Sequence, residues 1–102
     1  MSWLRRRSVS VDQARQLIAG GAQLVDVRSA KEWNADHVAG ATHIPLDRLE
    51  RSLHELRHGT QIVTICHSGV RSAVAARRLR DHDHDAVTVR GGMIAWRRKE
   101  PR

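Results

Sequence analysis

The chain has 102 residues, 40% of them hydrophobic, and a formal charge of +7. This describes one domain, 1–102 with its core at about 8–98, too apolar for a disordered chain and too short for two cores. Three Trp with no Phe or Tyr imply an aliphatic core, the single Cys excludes an internal disulfide, and no apolar run approaches the ~20 residues of a membrane span.

Met1-Ser-Trp-Leu-Arg5-Arg-Arg7 is charged and no apolar segment follows it, so it does not read as a secretory signal. The expectation is a soluble cytoplasmic protein with no membrane segment in this chain. Basic clusters lie at Arg5-Arg6-Arg7, Arg77-Arg78-Arg80 and Arg97-Arg98-Lys99. No stacking aromatics are interleaved with them, which counts against a nucleic-acid partner. They read as a solvated basic surface or as a field that steers small anions toward a site.

In chain order, Ser8 to Ser10 predicts a short first strand. Ser10 with Gln13 forms a capping box, and a helix runs to about Ala19, where Gly20-Gly21 ends it. Gln23 to Val27 is a second strand, interrupted by Asp26. Ser29 with Glu32 is a second capping box, opening a short helix through about Asp36. Val38 to His43 leads to a small third strand closed by Pro45. Leu46, Leu49, Leu53 and Leu56 recur at helical spacing and predict a helix ending at Gly59. Ile62 to Ile65 is the central strand. A helix from about Ser72 to Arg80 is expected to turn Ala73, Ala76 and Leu79 inward. Asp81-His-Asp-His-Asp85 is a polar turn, Val87 to Val89 the last strand, Gly91-Gly92 a loop, and Met93 to Arg98 the last helix. Strands alternating with helices imply a mostly parallel sheet of α/β class, covered on both faces.

The chemistry concentrates in Ile62-Val-Thr-Ile-Cys66-His-Ser-Gly-Val-Arg71-Ser72, a strand, a tight loop and a helix start around the only cysteine. Sites in open parallel sheets form at the carboxyl ends of strands, where Cys66 falls. Gly69 permits the positive φ of a tight curl. A curled loop turns successive N–H groups inward as an anion nest, and the helix start and Arg71 add positive charge. These features favour a thiolate, against the ordinary thiol value of ~8.5. The alternative is an inert buried thiol.

These residues resemble a known family. Cys66-His67-Ser68-Gly69-Val70-Arg71-Ser72 resembles the active-site loop of a rhodanese domain. Leu24-Val-Asp-Val-Arg28-Ser-Ala-Lys-Glu32-Trp33 with His37-Val-Ala-Gly40-Ala41 is similar to one family signature. Gly91-Gly92-Met93-Ile-Ala-Trp96 is similar to a second. The resemblance runs from about Ser8 to Trp96. Asp36 departs from it, standing where the family usually has glycine. The resemblance implies a single rhodanese-like domain of about five strands. It implies sulfur transfer through a Cys66 persulfide, with His67 to Ser72 as the persulfide-binding loop and with neither metal nor organic cofactor. The implied partners are a small anionic sulfur donor, such as thiosulfate, and a thiol or protein acceptor. It further implies that Asp26 and Arg28 brace the site, whereas a local pairing of Arg28 with Asp26 or Glu32 would merely set the turn.

Other features are open. His67 either tunes the thiolate or faces solvent. His82 and His84 superficially suggest a metal site, but an extended segment sends them to opposite sides, and a solvated turn explains them. Trp33 and Trp96 read as packing residues. A cysteine-dependent phosphatase or arsenate reductase would use the same anion-loop logic, and a persulfide carrier or a regulatory module is a further reading. The loop leaves four residues between Cys66 and Arg71, one fewer than in the cysteine phosphatases. A shorter loop suits one extra sulfur atom better than a phosphoryl group with its three equatorial oxygens.

Overall fold

Short β-branched runs alternating with capped helices dictate the architecture, and the computed structural model describes it over residues 7–100. Arg5 and Arg6 lie outside the described residues. The strands are β1 (Ser8–Val9), β2 (Gln23–Asp26), β3 (Thr42–His43), β4 (Ile62–Ile65) and β5 (Ala86–Val89). The α-helices are α1 (Val11–Ala19), α2 (Ala30–Ala35), α3 (Val70–Asp81) and α4 (Gly92–Arg98). The strands form one sheet in the order β1-β5-β4-β2-β3, with every pair parallel. Among the described residues no helix is long and apolar enough to cross a membrane.

Alternation along the strands divides the core in two. Val63 and Ile65 of β4 join Val9, Leu24, Val87 and Val89 under α1 and α4. Ile62 and Cys66 join Val25, Val27 and Ala86 under Ala75, Ala76 and Leu79 of α3. Both faces are covered, so β2, β4 and β5 are buried at every position. From β2 the chain moves outward to β3 on one side, then returns to β4 and goes on to β5 on the other. The loops after β2 and β4 therefore diverge, and a crevice opens at the carboxyl end of the sheet.

Both capping boxes form, Ser10 with Gln13 on α1 and Ser29 with Glu32 on α2. Two expectations need correction. The segment after Pro45 is two short 3-10 helices, Leu46–Arg48 and Glu50–Glu55, not one α-helix, with a break at Ser52 (φ −118°). Leu46 and Leu49, like Leu53 and Leu56, are three apart, a spacing that a 3-10 helix also stacks, and the four-residue step from Leu49 to Leu53 spans the break. Leu49 and Leu56 are the buried ones. Helix α3 begins at Val70, two residues before the expected Ser72, and Ala73 is exposed. Ser72, Ala75, Ala76 and Leu79 face inward, the i, i+3, i+4, i+7 set of that earlier start.

Asp36 takes extended backbone (φ −170°), which needs no glycine. Its carbonyl accepts from Arg28 Nη2 at 2.7 Å, and its carboxylate pairs with Arg97 at 2.9 Å. Trp96 is buried in the core, while Trp33 is half-buried and stacks with the rings of His37 and His43. The segment from His82 is a turn with Asp83 in the left-handed region (φ 66°).

Candidate active site

Cys66 leaves the end of β4 and is 1% exposed. Its sulfur would be an expensive anion in that position without donors. Donors are present: the Gly69 N–H reaches Sγ at 3.1 Å. Gly69 (φ +111°) is the N-cap of α3 and makes no side-chain cap bond, so the first N–H groups of the helix stay open toward the loop. Burial pushes the Cys66 thiol up, but hydrogen bonds from the Ser72 hydroxyl and from the N–H groups of Ser72, Gly69 and Ser68 outweigh it. The net result is a thiol below its ordinary value.

The loop is held from behind. Gly92 (φ +56°) brings the start of α4 against it, with Met93 N–H donating to the Cys66 carbonyl at 2.8 Å and Ile94 N–H to the His67 carbonyl at 3.2 Å. In a trans peptide the N–H points opposite the C=O. Anchoring those two carbonyls outward therefore turns the N–H groups of His67 and Ser68 the other way. The side chains of His67, Ser68 and Val70 are exposed, so the loop presents backbone to the sulfur and side chains to solvent.

Arg71 points its guanidinium at Glu32, with Nη1–Oε1 at 2.6 Å and Nη2–Oε2 at 2.8 Å. That bidentate pair holds the Glu32 carboxyl down to about 2, and it ties α2 to the start of α3. The Arg71 guanidinium is itself raised, chiefly by Glu32 and to a lesser degree by the charge of Cys66. Arg71 thus stands near the sulfur but spends its hydrogen bonds on Glu32. Arg28 pairs with Asp26 in a fork, Nε and Nη2 both bonded to the carboxylate at 2.8–3.0 Å, and both residues are buried. The Arg28 guanidinium is raised by that bond. The pair sets the β2–α2 turn and the end of α2; its hydrogen bonds go to Asp26 and Asp36, not to the Cys66 loop. A cavity of about 570 Å³ beside Arg71 is lined by Val27, Ser29, Ala30, Pro45, Leu46, Asp47, Arg48 and Arg71.

Three contributions were not anticipated from the sequence. Glu32 serves both its capping box and Arg71, 39 positions away, and nothing local signals the second role. Gly92 is the close-approach point of α4. Thr64 and Thr88, buried inside apolar runs, bond Ser72; a threonine in the middle of such a run was the available signal. Among the described residues no cluster of three or more His, Cys, Asp or Glu side chains is arranged to hold a metal ion.

A parallel five-stranded sheet with a cysteine loop at its carboxyl edge defines a class, and the comparisons identify it. The model of the rhodanese-like domain matches residues 10–99, and the chain belongs to that family. YrkF of Bacillus subtilis (strain 168), named provisionally as a sulfur carrier protein, is 35% identical over 91 residues, 86% of this chain and 49% of that one. The chain thus spans about half the length of that curated relative. The human single-domain sulfurtransferase TSTD1 superposes with a TM-score of 0.85 at 29% identity, over 93% of this chain and 98% of that one. A rhodanese-related protein from Thermoplasma volcanium superposes with a TM-score of 0.83 at 27% identity, over 93% and 95%.

Proposed function

We propose that the protein is a sulfurtransferase that carries a sulfane sulfur on Cys66. The observation that supports this most directly is the Gly69 N–H at 3.1 Å from a buried Cys66 Sγ, in a loop with several further donors. The Cys66 thiolate attacks the outer sulfur of a small anionic donor such as thiosulfate. The S–S bond of the donor breaks, sulfite leaves with the bonding electrons, and Cys66 holds a persulfide. The N–H groups between His67 and Ser72 bind the terminal sulfur's charge. A thiol or protein acceptor, or cyanide in an assay, then attacks that sulfur and releases the thiolate. This is covalent, ping-pong catalysis. Cys66 is the only cysteine, so no second thiol in this chain resolves the persulfide. A lone thiolate that must stay reduced suits the cytoplasm.

The similarity to TSTD1 and to YrkF supports sulfur transfer in both its catalytic and its carrier form. The two share the Cys66 persulfide and differ in what removes the sulfur. The short loop favours sulfur over phosphate. The test offers purified protein thiosulfate with cyanide and, separately, an aryl phosphate. Thiocyanate production, a mass gain of one sulfur atom after thiosulfate alone, and loss of both in Cys66→Ser are expected. Phosphate release with no sulfur adduct would overturn the reading. A sulfur adduct with no turnover would select the carrier form.

A further inference from the structure

Among the described residues the large apolar side chains left exposed are three, Val70 at 72%, Val74 at 39% and Ile94 at 38%. Single exposed apolar residues need no explanation, but these three gather at one place. Val70 directly follows Gly69, whose N–H meets Cys66 Sγ, and Val74 lies one turn on along the same face of α3. Ile94 is in the first turn of α4, where its N–H donates to the His67 carbonyl at 3.2 Å. The three therefore flank the Cys66 loop from two helices, and the exposed Ala73 continues the patch. Arginines follow at helical spacing on both helices, Arg77 and Arg78 after Val74, Arg97 and Arg98 after Ile94. Arg90 is exposed in the segment whose backbone lies against Gly69. Arg78 and Arg97 are matched by Glu50 and Asp36, but Arg77, Arg90 and Arg98 are in no ion pair among the described residues. Glu32 is taken by Arg71, and the one carboxylate of α3, Asp81, stands at its far end.

We propose that this surface docks an acidic protein acceptor whose thiol projects from among apolar side chains. The inference rests on the reading of Cys66 as the carrier of a sulfane sulfur. Cys66 is 1% exposed, so an acceptor must bring its own sulfur to the loop. A small thiol does that and leaves Val70, Val74 and Ile94 in water. A protein thiol arrives with the surface around it, and water leaves the apolar side chains as that surface closes on the loop. The acceptor thiolate attacks the terminal sulfur, the S–S bond to Cys66 breaks, and the bonding pair returns to Cys66 as its thiolate. The acceptor departs as the persulfide. Charge selects the partner. A second copy of this chain would set arginine against arginine, whereas an acidic surface supplies carboxylates to Arg77, Arg90 and Arg98. Apolar groups beside the reacting atom with charges around them is the arrangement of a protein interface, with its apolar centre and polar rim.

The test has a binding arm that needs no sulfur and a transfer arm that does. The binding probe is a short fluorescein-labelled peptide with one serine between leucines, flanked by glutamates; its control carries lysines in place of the glutamates. Fluorescence anisotropy is expected to show binding of the glutamate peptide and none of the lysine peptide. Val74→Ala removes apolar area and keeps a good helix former. It is expected to weaken binding about fourfold, the share of one buried methyl-sized group. Arg77→Glu is expected to weaken it as well and to flatten its dependence on salt. In the transfer arm a cysteine replaces the peptide's serine, and protein loaded with sulfur from thiosulfate is offered this peptide or 2-mercaptoethanol. Val74→Ala is expected to slow transfer to the peptide in the proportion that binding weakens. It is expected to leave persulfide formation and transfer to 2-mercaptoethanol as in the parent. No binding of the glutamate peptide, equal binding of the two peptides, or binding unchanged in Val74→Ala and Arg77→Glu overturns the proposal. Self-association of the parent in sedimentation, abolished by Val74→Ala, would give the face to a second copy and overturns it too. A parent that forms no persulfide while the binding pattern holds would instead overturn the sulfur-transfer reading and leave the docking surface standing.

Discussion

A cysteine 1% exposed is stabilised as an anion only by what the fold aims at it. At Cys66 two opposing effects meet, burial raising the thiol and hydrogen bonds from Ser72, Gly69 and Ser68 lowering it, and the second wins. The alkylation midpoint of the parent protein is therefore expected below the ~8.5 of a free thiol. A midpoint at or above that value would show that burial dominates. The folded thiol is depressed, so reactivity is present above its midpoint and is lost as pH falls through it. Arg71 enters this balance indirectly. Its fork to Glu32 steadies the loop's last residues, and its charge favours the thiolate from a distance.

Among the elements, the start of α4 decides whether the loop keeps its curl. A Cβ at Gly92 would stand against the Cys66 carbonyl oxygen and 2.6 Å from that of His67. It would also sit at φ +56°, a conformation that costs a non-glycine residue about 1–2 kcal/mol. Overpacking adds roughly 1–3 kcal/mol. Gly92→Ala is expected to lower stability by about 2–5 kcal/mol, read as a fall in the urea midpoint. It should slow alkylation at neutral pH as well, because the carbonyls of Cys66 and His67 lose their anchors. The tie between α2 and α3 makes a separate prediction. The Glu32 carboxyl titrates at about 2 in the fold and near ~4.3 unfolded, so its stabilisation is present above ~4.3 and lost as pH falls toward about 2. Both side chains are about one-third exposed, 32% and 37%, which screens the pair and keeps its contribution under ~1 kcal/mol. Glu32→Gln keeps the capping box and removes the charge. The variant is expected to lose less stability than the parent between pH 4 and 2, measured by thermal unfolding; a parallel fall in both would place the acid sensitivity elsewhere.

For the whole molecule, the charge of +7 acts on rates more than on affinity. Several arginines are locally neutralised, Arg97 by Asp36 and Arg78 by Glu50, but the net field remains positive. Persulfide formation from thiosulfate, an anion, is expected to slow as salt shortens the Debye length from ~30 Å at 0.01 M to ~8 Å at 0.15 M. Alkylation by neutral iodoacetamide is expected to hold nearly constant over the same range. Equal salt effects on the two reagents would mean that charge acts on Cys66 itself and not on the approaching donor.

What the sequence determined by itself is what neighbours in the chain decide. Capping boxes with partners three apart, a glycine at the curl after a β-branched strand, and one cysteine at that strand's end are local facts. They were sufficient for the alternating architecture, for the position of the loop and for the resemblance to rhodaneses. The tertiary structure decided which pairs form across the sheet. Arg71 meets Glu32, 39 positions away, and with Glu32 taken Arg28 closes on Asp26, its local neighbour. Thr88 meets Ser72 only because β5 lies beside β4 in register. It also decided between conformations that a pattern serves equally, as with the leucines after Pro45. The start of α3, and with it the exposure of Ala73, followed from where Gly69 could turn. Hydrogen bonds and steric limits along the chain act at fixed short separations and can be read from spacing. The cysteine loop is held by α4 through Met93 and Ile94 and its last residues by α2 through Glu32, and only the packed fold sets those distances.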